Sequence, residues 1–159
     1  MSPRARDPNE QIGYVLWQVQ HQLQVGMESR LRAYRLSLPQ FTALSLLALS
    51  SGATAAELAR QLMLSPQAAH TLLTRLHAAG HVEPVPGANV GGRAIPMQVT
   101  DQGRTVLGQA AAHVDDVQET FLRPLSATER TRLLSSLQKC LPMTRAATAA
   151  PPKTKHKGP

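Results

Sequence analysis

Aromatic residues are scarce in this chain, with one Trp, two Tyr and two Phe among 159 residues. A core built without them is aliphatic, and the many Leu, Ala and Val residues favour packed helices over a β-sandwich. A single cysteine, Cys140, excludes an internal disulfide and makes a reducing cytoplasm the expected setting. No uninterrupted apolar run approaches the roughly 18 residues a membrane helix needs. The opening Met1-Ser-Pro-Arg-Ala-Arg-Asp7 lacks the apolar stretch of a signal peptide. Phosphate loops, nucleophile elbows and paired catalytic acids are also missing, so no catalytic residue and no cofactor are expected. Asp115, Asp116 and Glu119 read as a charged helix face.

What is present is 42% apolar residues, which suits one globular domain, and a net charge of +7. The charge is unevenly placed. Residues 144–159 hold Arg145, Lys153, Lys155 and Lys157 and no acid; without those four the rest of the chain carries only +3. Basicity therefore permits nucleic-acid binding and does not establish it.

Hydrophobic spacing divides the chain. Ile12, Leu16, Val19, Leu23, Met27, Leu31 and Tyr34 form one stripe on a helix expected from Asn9 to Arg35. A second helix opens at Pro39, buries Phe41, Leu44, Leu47 and Ala48, and ends at Gly52. Thr54-Ala-Ala-Glu57 is a capping box for a third helix with Leu58, Ala59 and Leu62 inward. Ser65-Pro66 starts a fourth, which buries Ala69, Leu72, Leu73 and Leu76 and ends at Gly80.

From His81 to Thr100 the period shortens. Val82 and Val85, then Ile95, Met97 and Val99, flank a glycine-rich turn, which predicts a β-hairpin whose prolines keep both strands short. Thr100 caps a fifth helix carrying Leu107, Ala111, Val114, Val117 and Phe121, which Pro124 breaks. Ser126-Ala-Thr-Glu129 opens a sixth with Leu133, Leu134, Leu137 and Leu141.

Two short helices followed by a two-stranded hairpin are the order of a winged helix-turn-helix. The fold class expected is mainly α with a small β-hairpin wing. The fourth helix has the surface such a unit needs, since Gln67, His70, Thr71, Thr74 and Arg75 face outward and none is acidic. Gln suits adenine, Arg suits guanine or phosphate, and Thr can touch a thymine methyl. Ser65 and the first-turn amides form a positive helix end that attracts phosphate. An ordinary solvated helix face has the same composition, and residue types alone leave both readings open.

Several segments resemble the MarR family of bacterial regulators. Ser37-Leu-Pro-Gln-Phe-Thr-Ala-Leu44 is similar to that family's second-helix opening, and Thr54-Ala-Ala-Glu-Leu-Ala59 to its third helix. Leu64 to Gly80 is similar to its recognition helix, and Val99-Thr-Asp-Gln-Gly103 to the Leu-Thr-x-x-Gly that closes its wing. The likeness covers about residues 10–142. It implies a dimer made by terminal helices at about 11–35 and 101–142 of a domain spanning 11–143, with the winged unit at about 37–100. Residues 1–10 are then a flexible arm and 144–159 a disordered basic tail. Each subunit would read half of a near-palindromic double-stranded operator, as a repressor released by a small effector. The DNA-binding set so implied is Gln40, Thr54, Ser65, Gln67, Ala68, His70, Thr71, Thr74, Arg75 and Arg93. One departure concerns the wing, where the family carries Asp-x-Arg: Arg93 keeps the arginine and Gly91 replaces the acid that would hold it.

Regulators resembling this family often release DNA on binding an aromatic acid or phenol. Trp17, His21 and Met27 are candidates to line such a pocket, with core or dimer-interface packing as the plainer account. Cys140 beside Lys139 suggests a thiol switch, against a passive cysteine near a helix end. His113 with Asp116, and His77 with His81, have ligand spacing but no companions for a closed site, so no metal is expected. A winged module that binds protein without reading DNA is the remaining alternative.

Overall fold

The computed structural model describes residues 7–88 and 94–147. The first long helix is shorter than its stripe predicts. Helix α1 spans Ile12–Leu31, flanked by short 3-10 turns at Pro8–Glu10 and Arg32–Tyr34. The Asp7 carboxylate accepts from the Asn9 amide at 2.9 Å, so the last residues of the expected arm form a capped turn. At the other end Arg35 takes a left-handed φ of 54°, which stops helical propagation.

Helix α2 (Leu38–Ala48) starts one residue before Pro39, because Ser37 and Gln40 form a reciprocal capping box. It stops before Gly52, whose φ of +127° serves a different purpose. A Cβ there would lie 2.6 Å from the Val85 side chain, so glycine lets the wing root close on this turn. Next to it Ala53 pairs with Met97 through two hydrogen bonds of 2.9 and 3.0 Å. One bridging residue leaves no alternation to read, and the sequence did not predict it.

Helix α3 (Ala55–Leu62) and helix α4 (Pro66–Ala78) are joined by a three-residue turn in which Met63 adopts φ 54°. Strands β1 (Val82–Pro84) and β2 (Met97–Val99) form the antiparallel hairpin, with Val82 opposite Val99. Ile95 falls outside β2 and is exposed. Helix α5 spans Asp101–Leu122 and helix α6 spans Ala127–Ala147. The last helix thus continues through Pro142 and takes in 144–147, the start of the expected tail; residues 148–159 lie outside the described residues. None of the described helices is long and apolar enough to cross a membrane.

Residues up to Glu119 form one compact unit, and Thr120 onward a second. The core of the first gathers Leu31, Leu44, Leu47, Leu58, Leu76 and Val82, all fully buried. Ala110 and Val114 of α5 join it, and a Cβ on Gly26 would come within 2.8 Å of Val117, so α1 and α5 cross closely. Large apolar side chains remain uncovered on α1 (Ile12, Leu16, Trp17, Val25) and on α6 (Leu133, Leu134, Leu137, Leu141). The predicted stripe of α1 is therefore buried at its C-terminal end and bare at its N-terminal end, where Ile12 is 79% exposed.

The exit of α4 is locked to the start of α5. The Thr100 hydroxyl donates to Gly80 O at 2.6 Å and accepts from the Gly103 amide at 3.0 Å. The Thr100 amide donates to His81 O at 3.1 Å. A side chain on Gly103 would overlap that same His81 carbonyl and crowd Val99. Gly103→Ala is therefore expected to destabilise the fold by about 2 kcal/mol, through overpacking against backbone that cannot yield. Urea denaturation at fixed protein concentration measures it, and a change within error of zero would contradict this account.

Two capping boxes give a pH signature. The Glu57 carboxyl is held below its ordinary 4.5 by the Thr54 amide and then the Thr54 hydroxyl. Glu129 is lowered likewise, by the Ser126 hydroxyl first and its amide second. A carboxyl whose folded value is depressed adds stability that is complete above the unfolded value and is lost as pH falls through the folded one. Melting temperature should drop below about pH 4.5, and the drop should shrink in the Glu57→Gln, Glu129→Gln double variant, measured by circular dichroism between pH 3 and 7.

Candidate nucleic-acid interface

Helix α4 turns its two faces as its spacing predicts. Ala69, Leu72, Leu73 and Leu76 are buried, whereas Gln67, Ala68, His70, Thr71, Thr74 and Arg75 are exposed. Ser65 caps the helix by accepting from the Ala68 amide at 3.2 Å. The helix carries no carboxylate, so nothing on its outer face repels phosphate.

Hydrogen bonds already commit some of these groups. Thr71 Oγ1 donates to Gln67 O at 2.9 Å and Thr74 Oγ1 donates to His70 O at 3.0 Å. Gln40 uses its side-chain oxygen to accept from the Ser37 amide, leaving its amide nitrogen for another partner. The Thr54 hydroxyl is engaged with Glu57. Among the predicted interface residues, Gln40 and Thr54 thus act first as helix caps. Arg93 and Gly91, on the wing, lie outside the described residues.

Two open cavities flank α4. One of about 330 Å³ brings Ser37, Gln40, Ala68, Thr71 and Arg75 together between α2 and α4. The other, of about 460 Å³, lies between α4 and the wing root, lined chiefly by apolar groups with His70, Thr74 and His77. His77 is oriented by a 2.9 Å hydrogen bond between Nδ1 and Val82 O. Ser37 was not among the predicted interface residues, although the Ser-x-x-Gln pattern that caps α2 was there to be seen.

Trp17 and His21 stack on α1 with ring centroids 5.8 Å apart, and Tyr14 extends the stack at 5.9 Å. Trp17 is 58% exposed. Met27 instead packs against the core, and neither cavity beside α4 is lined by any of the three. Cys140 is exposed on α6. His113 packs against Tyr34 with the rings tilted by 37°, Asp116 pairs with Arg30 at 3.8 Å, and His81 is buried. Among the described residues no three His, Cys, Asp or Glu side chains gather where a metal ion would sit.

Comparison with known proteins matches these features. The sequence model of the MarR family fits residues 36–91, from the start of α2 into the wing. An HTH-type transcriptional repressor of Mycobacterium tuberculosis, Rv2887, is 34% identical over 128 residues, covering 80% of this chain and 91% of that one. The structure of Rv2887 in complex with DNA superposes with a TM-score of 0.68 at 32% identity, over 81% of this chain and 96% of that one. Its complex with salicylic acid gives 0.66 at 33% identity, over 81% and 95%. Wild-type apo MarR from Escherichia coli shares the fold, with a TM-score of 0.69 over 82% and 97% at 24% identity. Winged architecture, capped helix-turn-helix and extended identity to a repressor agree, and the chain belongs to the MarR family.

Proposed function

We propose that this chain is a sequence-specific, DNA-binding transcriptional repressor that acts as a homodimer and leaves its operator when a small aromatic acid binds. The observation that carries the reading is the outer face of α4, where an acid-free row of hydrogen-bonding side chains stands in solvent above a buried apolar face. A helix of this width fits the major groove of B-DNA, about 12 Å across. Gln67 suits adenine, Arg75 suits guanine or a phosphate, and the α4 N-terminus at Ser65 suits a phosphate. The relative solved with DNA supports this assignment. The role is one of binding rather than catalysis, and its place is the cytoplasm, with the chromosome.

Dimerisation is supported by the bare apolar faces of α1 and α6, each too large for one subunit to leave in water. An aromatic acid as the releasing ligand is supported by the relative solved with salicylic acid. The two cavities beside α4 are of the size that small ligands fill, and a molecule in either would compete with DNA for the same face.

Selection from random duplex DNA should enrich a near-palindrome with half-sites about 10 base pairs apart. Arg75→Ala and Gln67→Ala should each lower affinity for the enriched duplex about tenfold or more, and wild-type affinity should fall steeply with salt. Fluorescence anisotropy measures both. An unenriched pool would favour a winged module that binds protein instead.

Charging the bare face of α6 tests the dimer. Leu134→Lys with Leu141→Lys should yield monomers in sedimentation velocity and cost at least about tenfold in operator affinity, because two half-sites are then no longer bound as one. A variant that stays dimeric would remove α6 from the interface.

A further inference from the structure

Two of the side chains at the middle of the α4 outer face, Thr71 and Thr74, already use their hydroxyl protons. With a turn of about 100° per residue, Gln67, Thr71 and Thr74 fall within about 30° of the direction opposite the buried residues, and His70 and Arg75 stand about 70° to either side. From Gln67 to Thr74 the helix rises about 10 Å, roughly three base-pair steps. Thr71 and Thr74, with Gln67, therefore lie on the line along which a duplex would meet this face.

Each of these hydroxyls has one proton, and each gives it to the carbonyl one turn back, on Gln67 and His70. A threonine so bonded cannot donate to guanine O6 or N7, adenine N7 or thymine O4. Its methyl carbon takes one of the rotamer wells that stand clear of the preceding turn, the wells that long helical side chains use. What these two exposed residues still offer a base is a methyl group each, beside a hydroxyl oxygen that can accept but no longer donate. In the major groove the complementary apolar feature is the C5-methyl of thymine, which the other three bases lack.

We propose that the centre of this surface reads DNA by methyl contact: Thr71 and Thr74 each cover the C5-methyl of a thymine, while Gln67, His70 and Arg75 make the surrounding hydrogen bonds. The inference rests on the operator-binding reading above and names the residues that set its sequence preference. It makes the two threonines specificity determinants in which the hydroxyl serves to orient the methyl.

The test uses the full-length protein and the duplex it enriches from random DNA, resynthesised with deoxyuridine replacing one thymidine at a time. Uracil pairs as thymine does and lacks only the methyl. Wild-type affinity should fall roughly fourfold at one or two half-site positions, about what burying one methyl group is worth. Thr71→Val and Thr74→Val keep the methyl and should bind like wild type. Thr71→Ser and Thr74→Ser should lose roughly fourfold on thymidine duplexes and lose nothing further on the matching deoxyuridine duplex. Thermal melts of all four variants confirm that each is folded before it is scored.

If the valine variants lose as much as the serine variants, the hydroxyl is the reading group and the proposal is overturned. If neither series changes affinity, the threonines are not read and it is overturned as well. Failure to enrich any palindrome removes the operator-binding reading itself, an outcome separate from an enriched site that ignores these methyl groups.

Discussion

Where α4 ends and α5 begins, two stretches of backbone, 80–81 and 99–103, converge on the Thr100 hydroxyl and the bare Cα of Gly103. The hydroxyl bridges Gly80 O and the Gly103 amide, and the missing side chain lets α5 start directly against the His81 carbonyl. Gly80 makes the approach feasible with a φ of +74°, a conformation that costs glycine little. The junction fixes the angle at which α4 leaves the body of the unit. The direction of the α4 outer face is set by its buried apolar face and by the clamp at its far end, with the capped turn at Ser65 holding its near end.

Most of this architecture was legible because its signals are local. Thr54-x-x-Glu57, Ser65-Pro66 and Ser126-x-x-Glu129 mark helix starts by donor and acceptor chemistry that needs no partner far along the chain. The inward residues of α4 followed from spacing alone, since a helix of 13 residues with apolar side chains at 69, 72, 73 and 76 gathers them on one face. Features that depend on distant partners were not legible. Ala53 pairs with Met97 from 44 positions away, and nothing in either residue announces it. The α1 stripe looked continuous, yet only its C-terminal end meets α2 and α5; periodicity says which side is apolar and not what covers it.

The candidate site divides the same way. Exposure of Gln67, His70, Thr71, Thr74 and Arg75 followed from sequence, because it is the complement of burial. Prior engagement followed only in part. The Thr54 capping box is read from its spacing to Glu57, whereas the Gln40 cap and the back-bonding of the α4 threonines to their own helix are facts about rotamers. Composition lists a threonine as donor, acceptor and methyl at once, and geometry withdraws the donor. The placement of Trp17 over His21 is similar: spacing by four put both on one face, while the parallel ring stack depends on how far each is left uncovered.

The two-hydrogen-bond link between Ala53 and Met97 has a mechanical consequence. It stitches the root of the wing to the segment that joins α2 to α3, so the hairpin base is a third edge of the helix-turn-helix rather than an appended flap. A tilt of α2 would carry the hairpin base with it, so the two would move in a single stroke.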